Sequence, residues 1–132
     1  MKAVLILGSD TDADWAKQIT ERLDQLGVRW EQHVASAHKT PRKVLEILER
    51  NASETRVVYV TIAGRSNALS GFVAGNTTFP TLACPPFRDK VDMLVNIHST
   101  LQMPSKTPVL TVLDPGNCAE AVKRILDLAG AG

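Results

Sequence analysis

The feature that most constrains this chain is an alternation. Five short apolar runs each give way to a stretch whose apolar residues return every three or four positions. Lys2–Leu7 (KAVLIL), rich in branched residues, predicts a buried strand stopped by Gly8. Residues 12–26 follow with Trp15, Ile19, Leu23 and Leu26 at helical spacing, and Gly27 stands as the C-cap. Residues 28–34 predict a second strand. Thr40-Pro41 then opens a helix that runs to Asn51, a hydroxyl N-cap followed by proline at the first helical position. Residues 56–62 (RVVYVTI) form the clearest central strand, and 68–76 a short helix interrupted by Gly71 and Gly75. Residues 80–84 predict a strand halted by Pro85-Pro86. Lys90–Leu101 carries Val91, Leu94, Val95 and Leu101 on one helical face. Residues 108–113 complete the strands. Residues 118–129 give the most regular helix, with Cys118, Ala121, Val122, Ile125, Leu126 and Ala129 in register, and 129–132 read as a frayed tail.

Apolar strands separated by helices imply a parallel sheet covered on both faces. Right-handed crossovers leave few topologies, and the expected one is a three-layer, flavodoxin-like α/β sandwich with strand order 2-1-3-4-5. At 132 residues the chain is expected to form one domain spanning positions 1–132. Fifteen basic against fourteen acidic residues leave a net charge of +1, which favours neither nucleic acid nor anionic lipid as a partner. No apolar run approaches the ~18–20 residues of a membrane helix, and the N-terminal run is short for a secretory signal. Cys84 and Cys118 lack metal-ligand spacing, so a reduced cytoplasmic protein without a metal is expected.

In an open α/β sheet, ligands bind at the carboxyl ends of the strands near the switch in strand order. Three polar loops fall there. Gly8-Ser9-Asp10-Thr11-Asp12 combines a permissive turn with hydroxyls and helix N–H groups that suit a phosphate, and a carboxylate that suits ribose hydroxyls. The same residues serve equally well as helix caps. Ser36-Ala37-His38-Lys39-Thr40 sets a hydroxyl, an imidazole and a cation side by side. An imidazole can move a proton near neutral pH, though a lone histidine is as often structural. His33 and His98 lie inside regular elements and are expected to be structural. In Ala63-Gly64-Arg65-Ser66-Asn67-Ala68, small residues let a ligand approach backbone N–H groups able to stabilise an oxyanion. Cys84, just before the two prolines, is expected to be a buried small residue rather than a nucleophile.

Taken together, GSDTD (8–12), SAHKTP (36–41), AGRSNALSGFVAGNT (63–77), ACPP (83–86) and QMPS (102–105) resemble the phosphoribosylaminoimidazole carboxylase family, the PurE family, in the same order along nearly the whole chain. The resemblance implies reversible, ATP-independent carboxylation of 5-aminoimidazole ribonucleotide without a cofactor. It implies that Ser9 and Asp12 bind the phosphoribosyl part, that Ser36 and Lys39 add phosphate contacts, and that His38 transfers the proton. Gly64, Arg65, Ser66 and Asn67 would form the pocket for CO2 or the new carboxylate. Lys39 in the SAHK motif, and a third loop without histidine, are similar to the class that takes CO2 directly. The alternatives are the mutase class, which takes the N5-carboxylated substrate, and a non-catalytic nucleotide-binding module. The segment after Pro86 departs from the family pattern, and Lys106 stands where the family has glycine after MPS. Relatives in the family assemble as octamers, so a homo-oligomer is implied. They also continue past the last helix, where this sequence stops at Gly132.

Overall fold

The computed structural model describes residues 1–130. Five strands, β1 (Lys2–Leu7), β2 (Trp30–Val34), β3 (Val57–Ile62), β4 (Thr81–Ala83) and β5 (Leu110–Thr111), form one parallel sheet of order β2-β1-β3-β4-β5. The helices between them are α1 (Ala13–Gln25), α2 (Pro41–Asn51), α3 (Leu69–Gly75), α4 (Lys90–Leu101) and α5 (Pro115–Gly130). This is the expected topology. Its switch point lies between β1, which pairs with β2 from Ala3↔Trp30 to Leu7↔Val34, and β3, which pairs with β1 on the other side.

Side chains alternate across the central strands, so each face builds its own core. Ala3, Leu5 and Leu7 with Val58, Val60 and Ile62 pack against Ile19 and Leu23 of α1 and Val122 and Leu126 of α5. Val4, Ile6 and Tyr59 pack against Val44, Ile47 and Leu48 of α2 and Val73 of α3. Burying a leucine- or valine-sized side chain is worth ~1.5–3 kcal/mol, so these two layers fix the strand ends in space.

Local signals explain the helix boundaries. Gly27 has φ 71°, and its N–H donates to Asp24 O while Val28 N donates to Leu23 O, a Schellman closure of α1. Pro41 occupies the first turn of α2 as expected, but the Thr40 hydroxyl does not cap it. It turns back instead, accepting from Ser36 N at 2.8 Å and donating to Ser36 O. The first helix begins later than expected because Asp10–Asp12 form a 3-10 turn capped by Ser9. α5 begins a turn earlier, at Pro115. β5 is limited to Leu110–Thr111, where 108–113 were expected; Pro108 has no N–H to donate, and beyond the strand Val112 N still donates to Ala83 O at 2.9 Å. Ala129 and Gly130, expected to fray, complete α5, and the rest of that expected tail lies outside the described residues.

α4 turns its apolar face outward. Its stripe Val91, Leu94, Val95 and Leu101 is 59–70% exposed. The side turned to the protein carries Asp92, Asn96, Ser99 and the buried Thr100. Among the described residues, no helix is long and apolar enough to cross a membrane.

Candidate active site

A cleft of about 680 Å³ opens at the carboxyl ends of β1, β2, β3 and β4. It is lined by Gly8, Ser9, Thr11 and Asp12 from the first loop, and by Ser36, Ala37 and His38 from the second. Ala63, Gly64, Arg65 and Ser66 come from the third loop, and Pro86, Phe87 and Arg88 from the loop after β4. The sequence placed Ser9, Asp12, Ser36, His38, Gly64, Arg65 and Ser66 at one site, and all seven meet here.

The first two loops hang on the sheet by backbone bonds. Gly8 N donates to Ile62 O at 3.0 Å, and Ala35 N donates to Leu7 O at 2.8 Å. Ser9 is extended, and its Oγ lies 2.9 Å from Thr11 Oγ1 while accepting from Thr11 N. Asp12 is half-buried. Burial raises its carboxyl above the usual range, opposed by a hydrogen bond with the Ser9 backbone. Ser36 Oγ accepts from Lys39 N at 3.1 Å, which with the Thr40 bonds closes the second loop into a tight turn. That turn presents His38, whose Nε2 lies 3.0 Å from Ser66 O.

The third loop is shaped by close contact. A Cβ on Gly64 would come within 2.7 Å of Pro86 O, so only glycine lets this loop rest against the one after β4. Ser66 has φ 42°, in the left-handed region that a non-glycine residue enters at a cost. Among the described residues, the backbone N–H groups of Gly64, Arg65 and Ser66 bond no protein acceptor.

Two expected site residues lie elsewhere. Asn67 is 6% exposed and turns inward. Its Nδ2 donates to Ser70 Oγ at 2.7 Å and Thr100 Oγ1 at 3.0 Å, and its Oδ1 accepts from Ser70 N. The left-handed turn at Ser66 reverses the chain and sends the next side chain into the interior. Lys39 is exposed at the rim and does not line the cleft. His33 pairs with Glu31 on β2, and His98 is exposed on α4, both away from the cleft. Cys84 and Cys118 are free and buried. The hydrogen bond that the Cys118 thiol makes to Cys84, together with burial, holds it well above the ordinary thiol range.

Other residues in the cleft escaped the sequence reading. Trp15 packs against the core from the α1 stripe, as its spacing predicts, and also lines the cleft, fixed by Nε1 donating to Cys84 O at 3.0 Å. Arg65 and Arg88 both approach Asp92 Oδ1 at 3.6 Å. The Arg88 backbone N–H donates to that carboxylate and, with the two guanidinium charges, holds it below the usual range. The i,i+4 spacing of Arg88 and Asp92 was the available signal.

Comparison with known proteins fits this site. Residues 2–131 match the family profile AIRC, AIR carboxylase. A phosphoribosylaminoimidazole carboxylase of Archaeoglobus fulgidus is 48% identical over 132 residues, spanning 100% of this chain and 72% of that protein. An N5-carboxyaminoimidazole ribonucleotide mutase of Methanocaldococcus jannaschii is 40% identical over 126 residues, 94% of this chain and 78% of that one. The crystal structure of Treponema denticola PurE superposes with a TM-score of 0.90 at 38% identity, covering 96% of this chain and 80% of its own. Sheet order, profile and relatives agree, and the chain belongs to the AIR carboxylase family of purine biosynthesis.

Proposed function

We propose that the chain joins CO2 to C4 of 5-aminoimidazole ribonucleotide, reversibly and without ATP, to give the 4-carboxy product. The observation that carries this reading is that His38, Gly64, Arg65 and Ser66 line the cleft that holds Ser9 and Asp12, and that among the described residues the N–H groups of Gly64, Arg65 and Ser66 bond no protein acceptor. The substrate ring is enamine-like, so its C4 electrons attack the carbon of CO2 and form the new C–C bond. The C4 proton must then leave for the ring to regain aromaticity. The two demands on the protein are to hold a neutral gas against C4 and to take one proton.

Fixing both reactants supplies up to ~7–11 kcal/mol in ideal cases. The loop N–H groups face the charge that develops on the carboxylate, where one such donor is worth ~2.7–4 kcal/mol. His38 takes the proton, a role worth ~10²–10⁴-fold. Asp12 receives ribose hydroxyls, which repay the burial of its carboxylate. Ser9 and Ser36 contact the phosphate from within the cleft, and Lys39 reaches it from the rim. Asn67 serves the pocket by bracing the loop rather than by touching CO2.

The Methanocaldococcus mutase supports a second reading, in which the substrate arrives already carboxylated on N5. The SAHK motif and the histidine-free third loop favour CO2. An assay with aminoimidazole ribonucleotide and CO2, against one with the N5-carboxylated nucleotide, separates the two.

The chain is also proposed to act as a homo-oligomer, in the family's octameric form, in a reducing cytoplasm. The exposed stripe on α4 supports assembly, because Val91 and Val95 lie beside Arg65, Arg88 and Asp92 at the cleft mouth. The two free thiols in the core suit a reducing compartment.

A further inference from the structure

One peptide unit joins α4 to the candidate catalytic histidine. The Ser66–Asn67 peptide is held on both sides. Its carbonyl meets His38 Nε2 at 3.0 Å, and its N–H donates to Ser99 Oγ at 2.9 Å. Ser99 Oγ in turn donates to Asn96 O at 3.2 Å, so the hydroxyl has a fixed direction. The Asn67 side chain is tied to Ser70 and Thr100, which holds the peptide plane from its other neighbour. At φ 42°, Ser66 sits in a conformation that persists only where surrounding bonds impose it.

A carbonyl oxygen only accepts hydrogen bonds, so Nε2 carries the hydrogen in this contact. In a neutral imidazole the free lone pair is then on Nδ1.

We propose that Ser99 is a positioning residue for His38. By fixing the Ser66–Asn67 peptide it holds the imidazole as the Nε2–H tautomer and leaves Nδ1 as the nitrogen that takes the proton. This rests on the carboxylation reading for its chemistry. The C4–H bond breaks, its electron pair returns to the ring, and the proton passes to Nδ1. The Ser66 carbonyl stabilises the resulting imidazolium through the hydrogen bond already in place. In decarboxylation the same proton returns from Nδ1 to C4. An apolar residue at position 99 would leave the Asn67 N–H without this partner.

The test compares wild type with Ser99→Ala and Ser99→Thr in the full chain. The substrate-free proteins are labelled with 15N-histidine, and the His38 signals are identified by their loss in His38→Asn. Wild type should show a pyrrole-like Nε2 and a pyridine-like Nδ1. In Ser99→Ala these signals should move toward a mixture of tautomers. Its kcat should fall about tenfold or more, while KM for the ribonucleotide changes by less than about twofold. Ser99→Thr, which keeps the hydroxyl, should restore both readouts. An Nδ1–H tautomer in wild type overturns the proposal whether or not any variant folds. So does a folded Ser99→Ala protein with wild-type signals and turnover. If wild type carboxylates nothing but its tautomer still responds to Ser99→Ala, the carboxylation reading fails while the positioning of His38 stands.

Discussion

His38 was legible in the sequence because its position follows from topology: a histidine one turn beyond a strand, in a parallel sheet, arrives at the ligand-binding edge. Ser9, Asp12 and Ser36 were legible for the same reason. Asn67 was not, because whether it faces cleft or core depends on the left-handed backbone at Ser66, and no residue type announces that. His38→Asn, which keeps a polar side chain without the proton-transfer group, should lower carboxylation by ~10²–10⁴-fold. Nucleotide affinity, measured by calorimetry, should remain close to wild type; turnover near wild type would remove His38 from the mechanism. Asp12 provides a second check through stability. Burial raises its folded-state pKa, so the stability tied to its protonated form is present below the ordinary aspartate pKa and lost as pH rises through the raised one. Asp12→Asn stays neutral throughout. As pH rises from below the ordinary aspartate pKa through the raised one, the urea midpoint of the variant should gain on that of wild type, and the variant should bind the ribonucleotide more weakly. A midpoint difference that is constant with pH would contradict the burial account.

At the scale of elements, the strands and helices could be read in their order, and their ends could not. β2 and β5 are shorter than their apolar runs because they lie at the sheet edges, where one neighbour rather than two enforces the ladder. α4 was legible as a helix, but the direction of its apolar stripe was not. Periodicity says that a stripe exists, and only the tertiary contacts say that Ser99, Thr100 and Asp92 are the inward side. The departure at Lys106 was noticed in sequence, and its physical meaning lies in a φ of 64°, where the family's glycine would fit without strain. Leaving that region costs a non-glycine residue nothing and staying costs ~1–2 kcal/mol, against ~0.4–1 kcal/mol of extra chain entropy that glycine loses on folding. Lys106→Gly should therefore stabilise the protein by about 1 kcal/mol or less, seen as a small rise in Tm. A fall in Tm would mean that the lysine side chain compensates for its backbone.

For the molecule as a whole, a net charge of +1 proved a poor guide, because the positive groups that matter are local. Arg65 and Arg88 sit at the cleft, and Lys39 at its rim. Assembly belongs to this scale too. Leu94 and Val95 are 62% and 68% exposed, an arrangement that suits contact with a second copy. If the chain assembles as proposed, replacing both with glutamate should give smaller species than wild type in sedimentation velocity. A wild-type chain that sediments as a monomer would refute the assembly. The reaction proposed for the cleft is carboxylation by CO2. Its most direct measurement incubates the purified protein with aminoimidazole ribonucleotide and dissolved 13CO2, without ATP, and follows the label into the product. Label should appear at the carboxyl on C4, at a rate that rises with CO2 and depends on His38. No label from CO2, with turnover of the N5-carboxylated nucleotide instead, would contradict it.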